Sequence, residues 1–465
     1  MLLLIWTGVL IAVIYIYIRR IYSRFTTYDV KQLPPLPFIG NVLPLVLRKI
    51  HFVEDLSRYY DNFPEERYST KFVGKYEFTN PVIIVRDLEL IKKITIKDFD
   101  YFVDHRAFTD EKVEPIFARN LFTLRGVLLS FALSRHCIIY FVLGKPVEID
   151  CRDLTRRYAN DVIATCPFGL KVDSYTEGDT KFFEMGKNAA QFKMRQMIMF
   201  FAYSAFPALV RCMKMTLFTK ETTSFFRSLV IDTMRNREAH NILRPDMIHL
   251  LMEAKKAWSD DDLIAQAVLF FIAGFEGISA AMSFALRELA LHKDIQDQLA
   301  KDVREDSKRN NGKIDYTSIQ DLPYLDKVVS EVLRLWTPGF QLDRICTKPY
   351  NLGRLRKGDQ VIIPVWCLHR NPEFFPDPEK FDPERFADDK KDLIKPMTYM
   401  PFGVGPRNCI GSRFALLEIK MLIYQILLHM EVLPSEKTVL NPVFSKDTFN
   451  LNLEGGFWLN FKIRE

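Results

Sequence analysis

The sequence predicts a mainly α-helical fold with a small β-sheet region, organised as a single large domain behind an apolar N-terminal segment. Helical periodicity dominates from Asp150 onward, with a long helix over residues 259–292 and a second, amphipathic helix over 321–336. Strand signals are confined to short runs around residues 78–85 and 352–364. No linker, repeat or low-complexity tract divides the 465 residues.

Hydrophobic residues make up 48% and charged residues 26%, which allows a large core and excludes a disordered chain. The 38 phenylalanines point to an apolar interior. The net charge is +6, and the lack of any long Lys/Arg run gives nucleic-acid binding no support. Seven scattered cysteines (137, 151, 166, 212, 346, 367 and 409) form no C-x-x-C pair and read as thiols of a reducing compartment.

From the N-terminus, residues 2–18 are uncharged and almost wholly apolar, and Arg19, Arg20 and Arg24 follow. As a helix this run spans about 26 Å, near the minimum for a bilayer crossing. The basic side is expected to stay in the cytosol, and the lack of charge before the run argues against a cleaved signal peptide. Residues 1–20 are therefore read as a transmembrane signal-anchor and 21–40 as a basic, proline-rich hinge. Residues 41–465 are the globule, with the anchor outside it.

Ser259 is a natural N-cap for the long helix, and Asp260, Asp261 and Asp262 complement its positive end. Residues 267–275 are apolar all round and must be buried, while Gln266 and Glu276 argue against a membrane span. The second helix gathers Leu325, Val328, Val329, Val332 and Leu335 on one face. Residues 352–364 read as short strands around a turn at Lys357, Gly358 and Asp359.

The densest chemical signal is the run from Phe402 to Gly411, reading FGVGPRNCIG. It sets Cys409 in a glycine-rich loop just before a helical pattern, where unpaired N–H groups are expected to favour thiolate. Gly405 and Gly411 are expected to let the backbone turn tightly and a flat ligand come close. One thiolate without a second Cys or His is a poor zinc site but suits an axial bond to haem iron. The spacing Phe-x-x-Gly-x-Arg-x-Cys-x-Gly resembles the haem-binding loop of the cytochrome P450 family of haem-thiolate monooxygenases.

The resemblance implies a cytochrome P450 fold, with Cys409 as the metal ligand to haem b (iron protoporphyrin IX) and Phe402, Gly405 and Gly411 forming its loop. Arg344 and Arg407 match arginines that contact the haem propionates, as a planar guanidinium suits a carboxylate. Glu331 and Arg334 match the family's E-x-x-R pair, and Arg385, in the run FDPERF, its later arginine; these three are structural. Ala273 and Gly274 match the small residues of a groove above the iron. Glu276 matches the acid of a proton relay, whereas Gly277 stands where the family places threonine. Ser279 is no simple substitute, because two residues along a helix turn it to nearly the opposite face.

A second departure follows Gly126. Over residues 127–143 an apolar run replaces the helix that should carry a tryptophan and an arginine to the propionates, and Arg135 and His136 read either as their replacements or as exposed charges that break the run. The chain reads as short there, as an incomplete gene product would. Elsewhere, runs such as 158–166 and 367–372 resemble insect microsomal members that oxidise toxins and lipophiles.

The resemblance implies a monooxygenase of the endoplasmic reticulum membrane, with its catalytic domain facing the cytosol. It would insert one oxygen atom of O₂ into a lipophilic small molecule. Electrons would come from NADPH through a flavoprotein reductase, with a small haem protein as a further donor. Two other readings stay open: a haem-thiolate isomerase or dehydratase acting on peroxides, given Gly277, and a catalytically impaired haem-binding protein, given residues 127–143.

Overall fold

A computed structural model describes residues 2–27, 30–63, 71–106, 146–314, 319–320, 322–350 and 355–464. The chain opens with helix α1 (Leu2–Thr27), whose apolar side chains are exposed from Ile5 to Tyr17. Its length and apolarity make it a candidate membrane span. The globule then follows through α2 (Phe52–Asp61), α3 (Cys151–Thr165), α4 (Lys181–Ala190), α5 (Met194–Ala205) and α6 (Lys220–His240). After these come α7 (Asp260–Ile272), α8 (Ile278–Leu291), α9 (Lys293–Arg309), α10 (Pro323–Leu335) and α11 (Ser412–His429).

The strands are β1 (Phe72–Glu77), β2 (Asn80–Val85), β3 (Val147–Asp150), β4 (Leu342–Ile345), β5 (Gln360–Ile363), β6 (Met430–Pro434) and β7 (Trp458–Ile463). One sheet has the order β1-β2-β5-β4, in which β2 and β5 run parallel and the other pairs antiparallel. The second has the order β3-β7-β6, antiparallel throughout. The strand signal at 78–85 is therefore a turn plus β2, and its partner β1 lies just upstream.

The central helix begins where the sequence places it. The Ser259 hydroxyl accepts the Asp262 N–H at 3.3 Å, and Asp262 accepts the Ser259 N–H at 2.9 Å, closing a capping box. The helix is not uniform, however. Between α7 and α8 one turn widens to π geometry at Ala273–Gly277. Two glycines in five residues lower the cost of leaving the α form, and such bulges are frequent at functional sites. Beyond it, α8 is buried from Ile278 to Ala290 and packs against α3, α10 and α11. In that core Phe284 stacks on Trp336, with centroids 4.5 Å apart. All five residues of the apolar face read on α10 are buried, and that helix begins at Pro323.

The hinge expected over 21–40 is not free. α1 continues through Thr27, and Tyr22 and Phe25 are buried in the main core. Lys31 accepts the Gly74 N–H at 2.8 Å, and Asn41 donates to the Tyr76 carbonyl at 2.8 Å, so the proline-rich stretch is pinned to β1. Prolines report local stiffness; they carry no information about a complementary surface folded from residues fifty positions away. The departure read at residues 127–143, with Arg135 and His136, lies outside the described residues.

Candidate functional site

The Cys409 loop is held by its own backbone. The Cys409 N–H donates to the Phe402 carbonyl at 2.7 Å, while the half-buried Phe402 ring packs on the main core. Gly403 and Gly405 have φ of +71° and +75°, which glycine adopts without strain. The two glycines read from the sequence divide their roles. A Cβ on Gly405 would strike the Thr95 carbonyl, so this glycine permits a close backbone approach within the protein, not one by a ligand. Gly411 has φ of −90°, and a Cβ there would meet no atom of the described residues within 4 Å, so of the two only this one leaves its surroundings open.

Cys409 is exposed on one side, yet the loop around its sulfur desolvates it enough to push the thiol above its ordinary value, and a hydrogen bond from Gly411 only partly offsets this. Burial of the sulfur thus works against the thiolate that the helix start is expected to favour, and a cation bound there would work for it.

Arg344 is 1% exposed. Its Nη1 donates to the adjacent Asp343 carbonyl at 2.7 Å, while Nε and Nη2 have no hydrogen-bond partner among the described residues. Burial lowers its pKa; Asp343 opposes the shift, and the nearby Arg407 charge adds to it. Arg407 donates from Nε and Nη2 to the Val103 carbonyl, at 3.1 and 2.8 Å. A buried guanidinium with spare donors beside a second guanidinium suits an anion with more than one carboxylate. A thiol, two arginines and an open glycine fit a haem.

The small residues of the central helix face different ways. Ala273 is exposed at the centre of a largely buried helix, and Gly277, one turn on, has nothing within 4 Å of an added Cβ among the described residues. These two share an open face. Gly274 does not join them: its Cβ position lies 2.9 Å from Ile163, so this glycine lets α3 approach the helix instead of opening a groove.

Glu276 points toward α3. Its Oε1 accepts from Arg152 Nη2 at 2.6 Å and from Arg156 Nη2 at 2.8 Å, and its Oε2 accepts from Arg156 Nε at 3.2 Å. Burial alone would raise this carboxyl, but the two arginines outweigh it and hold it below its ordinary value. Ser279 lies on the α3 side, away from Gly277: its hydroxyl donates to the Glu276 carbonyl at 3.2 Å, and its own carbonyl accepts from Thr155 at 3.0 Å. The sequence reading missed Arg152 and Arg156. Their signal was two cations four apart on a helix that is otherwise half apolar.

The structure brings Glu331, Arg334 and Arg385 together. Arg334 binds Glu331 bidentately, at 2.7 and 2.8 Å, and donates to the His369 and Pro378 carbonyls, each at 2.8 Å. Arg385 Nε lies 3.4 Å from Glu331 without hydrogen-bond alignment, and its Nη2 donates to the Asp377 carbonyl at 2.8 Å. His369 completes this knot as a neutral base: Nε2 accepts the Met400 N–H at 2.8 Å, so Nδ1 carries the proton toward the Arg334 carbonyl.

The sequence matches the family model described as Cytochrome P450 over residues 142–458. It is 39% identical to Cytochrome P450 9e2 of Blattella germanica, covering 95% of this chain and 94% of that protein. It is 35% identical to Cytochrome P450 9b2 of Drosophila melanogaster, covering 95% and 96% of the two. Probable cytochrome P450 6a13 of Drosophila melanogaster is also 35% identical, covering 97% and 96%. The alignment with the Blattella protein runs over 503 positions against 465 residues here, so that relative carries residues without a counterpart in this chain.

Proposed function

Because this chain belongs to the cytochrome P450 family, whose members are monooxygenases using haem b and NADPH-derived electrons, we propose that it inserts one oxygen atom of O₂ into a lipophilic small molecule. The observation that carries this reading is the pairing of the Cys409 loop with the guanidinium of Arg344, two of whose nitrogens lack a hydrogen-bond partner among the described residues, beside Arg407. Cys409 would ligate the haem iron, and Arg344 and Arg407 would hold the haem carboxylates. The bound haem would supply dioxygen activation. Around it the protein orients. The Gly411 N–H stabilises charge on the sulfur, and the ring of Phe402 packs the loop against the main core.

Glu276 takes the role of acidic residue in proton delivery. Its carboxylate is kept ionised by Arg152 and Arg156, so it releases a proton readily and stores one poorly. The partner that delivers electrons is a flavoprotein reductase, with a small haem protein as a second donor. The anchor is α1, seated in the endoplasmic reticulum membrane with the globule in the cytosol, as the arginines at its C-terminal end favour.

The test is the absorption spectrum of the reduced protein under carbon monoxide. A thiolate-type Soret band is expected from the wild type and should vanish in Cys409→Ala, because no second sulfur lies in that loop. A band retained in Cys409→Ala overturns the assignment. The open side of Gly277 favours a second reading, rearrangement of peroxides without O₂. Turnover of a lipid hydroperoxide without reductase, faster than turnover with reductase and NADPH, would select it.

A further inference from the structure

The last turns of α1 do more than end an anchor. Phe25 fills a notch over β1 in which a Cβ on Gly74 would lie 2.6 Å from the ring, and the Tyr22 hydroxyl donates to the Phe78 carbonyl at 3.1 Å. Tyr22 meets Tyr76 edge to face, with centroids 4.8 Å apart. Between them Arg24 reaches Asp359 with both Nη atoms, Nη1 to Oδ1 at 2.6 Å. Asp359 is 5% exposed, so this is a nearly buried bidentate pair.

Asp359 shapes the turn between β4 and β5. Its side chain accepts the Arg356 N–H at 2.6 Å, and its carbonyl accepts the Cys346 N–H at 2.8 Å. Two residues before Cys346, within β4, stands Arg344, paired in register with Val361 of β5. The anchor is thus tied through one charge pair to the hairpin that presents the buried guanidinium.

We propose that Arg24 is a positioning residue for the cofactor site: by clamping Asp359 it holds the β4–β5 hairpin in the register that aims Arg344 at a haem carboxylate. This rests on the reading of Arg344 as a haem contact. The end of the membrane anchor is then part of the cofactor site's support, not only a tether.

The test uses the full-length protein in lipid nanodiscs, comparing wild type with Arg24→Ala, Arg24→Lys, Arg344→Ala and the Arg24→Ala/Arg344→Ala double variant. The readouts are the haem reduction potential and the rate of haem release to an excess of apomyoglobin. Arg24→Ala is expected to release haem about threefold faster or more, the low end of coupling between contacting residues. Its potential should shift in the direction seen for Arg344→Ala. Arg24→Lys should restore much of both, and in the double variant the loss of Arg24 should add little. Unchanged potential and release in Arg24→Ala, or effects that add fully to those of Arg344→Ala, overturn the proposal while leaving the haem reading intact. Loss of haem in Arg24→Ala with no rescue by lysine indicates general instability and overturns it as well. An Arg344→Ala variant indistinguishable from wild type removes the haem contact itself, and the proposal with it.

Discussion

A single residue, Gly277, carries the departure of chemistry within this site. Among the described residues Gly277 meets no neighbour where a hydroxyl is expected, and threonine has a slightly better helix propensity than glycine. Gly277→Thr should therefore keep the fold and raise product formed per NADPH consumed, measured in preparations with equal haem. Tight coupling already present in the wild type would show that another group delivers the proton. The loop glycines give a sharper contrast. Gly405→Ala combines a left-handed φ with a backbone clash and should destabilise the protein by about 2 kcal/mol or more. Gly411→Ala should leave unfolding of the haem-free protein nearly unchanged and weaken haem retention instead. Urea titration of the two variants, with and without haem, checks both.

Among the elements, the joint between α3 and the widened turn of the central helix matters most. Gly274 lets Ile163 approach, while Arg152, Arg156 and Glu276 form a buried knot across the same seam. Breaking a buried pair strands the remaining charge, so Glu276→Ala should cost about 3 kcal/mol in chemical denaturation. Glu276→Gln keeps the volume but not the charge, and its stability loss should be smaller only if the amide still accepts from one arginine. A loss below about 1 kcal/mol for Glu276→Ala would mean that water replaces the knot cheaply. The burial expected throughout 267–275 fails at Ala273, which is exposed, but the helix itself was legible in its cap and its acid. The π turn was not, because it depends on which neighbour each face meets, and the sequence lists Arg152 more than a hundred positions away.

At the scale of the whole molecule, the pH dependence of stability follows from a few buried groups. His369 is lowered to about 3 and His51 to about 4, in both cases chiefly by burial. Unfolded histidine titrates near pH 6.5, so below that value the unfolded chain binds protons that the folded protein refuses. Each histidine then removes up to about 1.4 kcal/mol per pH unit, from pH 6.5 down toward its folded value. Glu418, fully buried and without a hydrogen-bond partner for either oxygen among the described residues, is the opposite case: burial pushes it well above its ordinary value. Its contribution is complete below the unfolded carboxyl pKa and declines as pH rises toward the folded one. On the acid side the two histidines and Glu418 therefore act in opposite directions. Resistance to thermal unfolding should gain an acid limb from the histidines as pH falls below 6.5. His369→Asn and His51→Asn should each flatten the acid limb, and an acid limb unchanged in both variants would contradict the assignment.

The sequence by itself determined the mainly helical class, the apolar N-terminal helix, the capped central helix and the Cys409 loop, because each is written in neighbouring residues. Periodicity, capping chemistry and motif spacing are local properties. The tertiary structure alone decided what each side chain meets. It turned Gly274 from a groove residue into a packing residue and gave Gly405 to the Thr95 carbonyl and Gly411 to open space. It set Glu276 against two arginines of α3, and it drew the end of the anchor into the core through Phe25 and the Arg24–Asp359 pair. Burial, opposed charges and close approach are relations between segments far apart in the chain, and they acquire values only when the chain has folded.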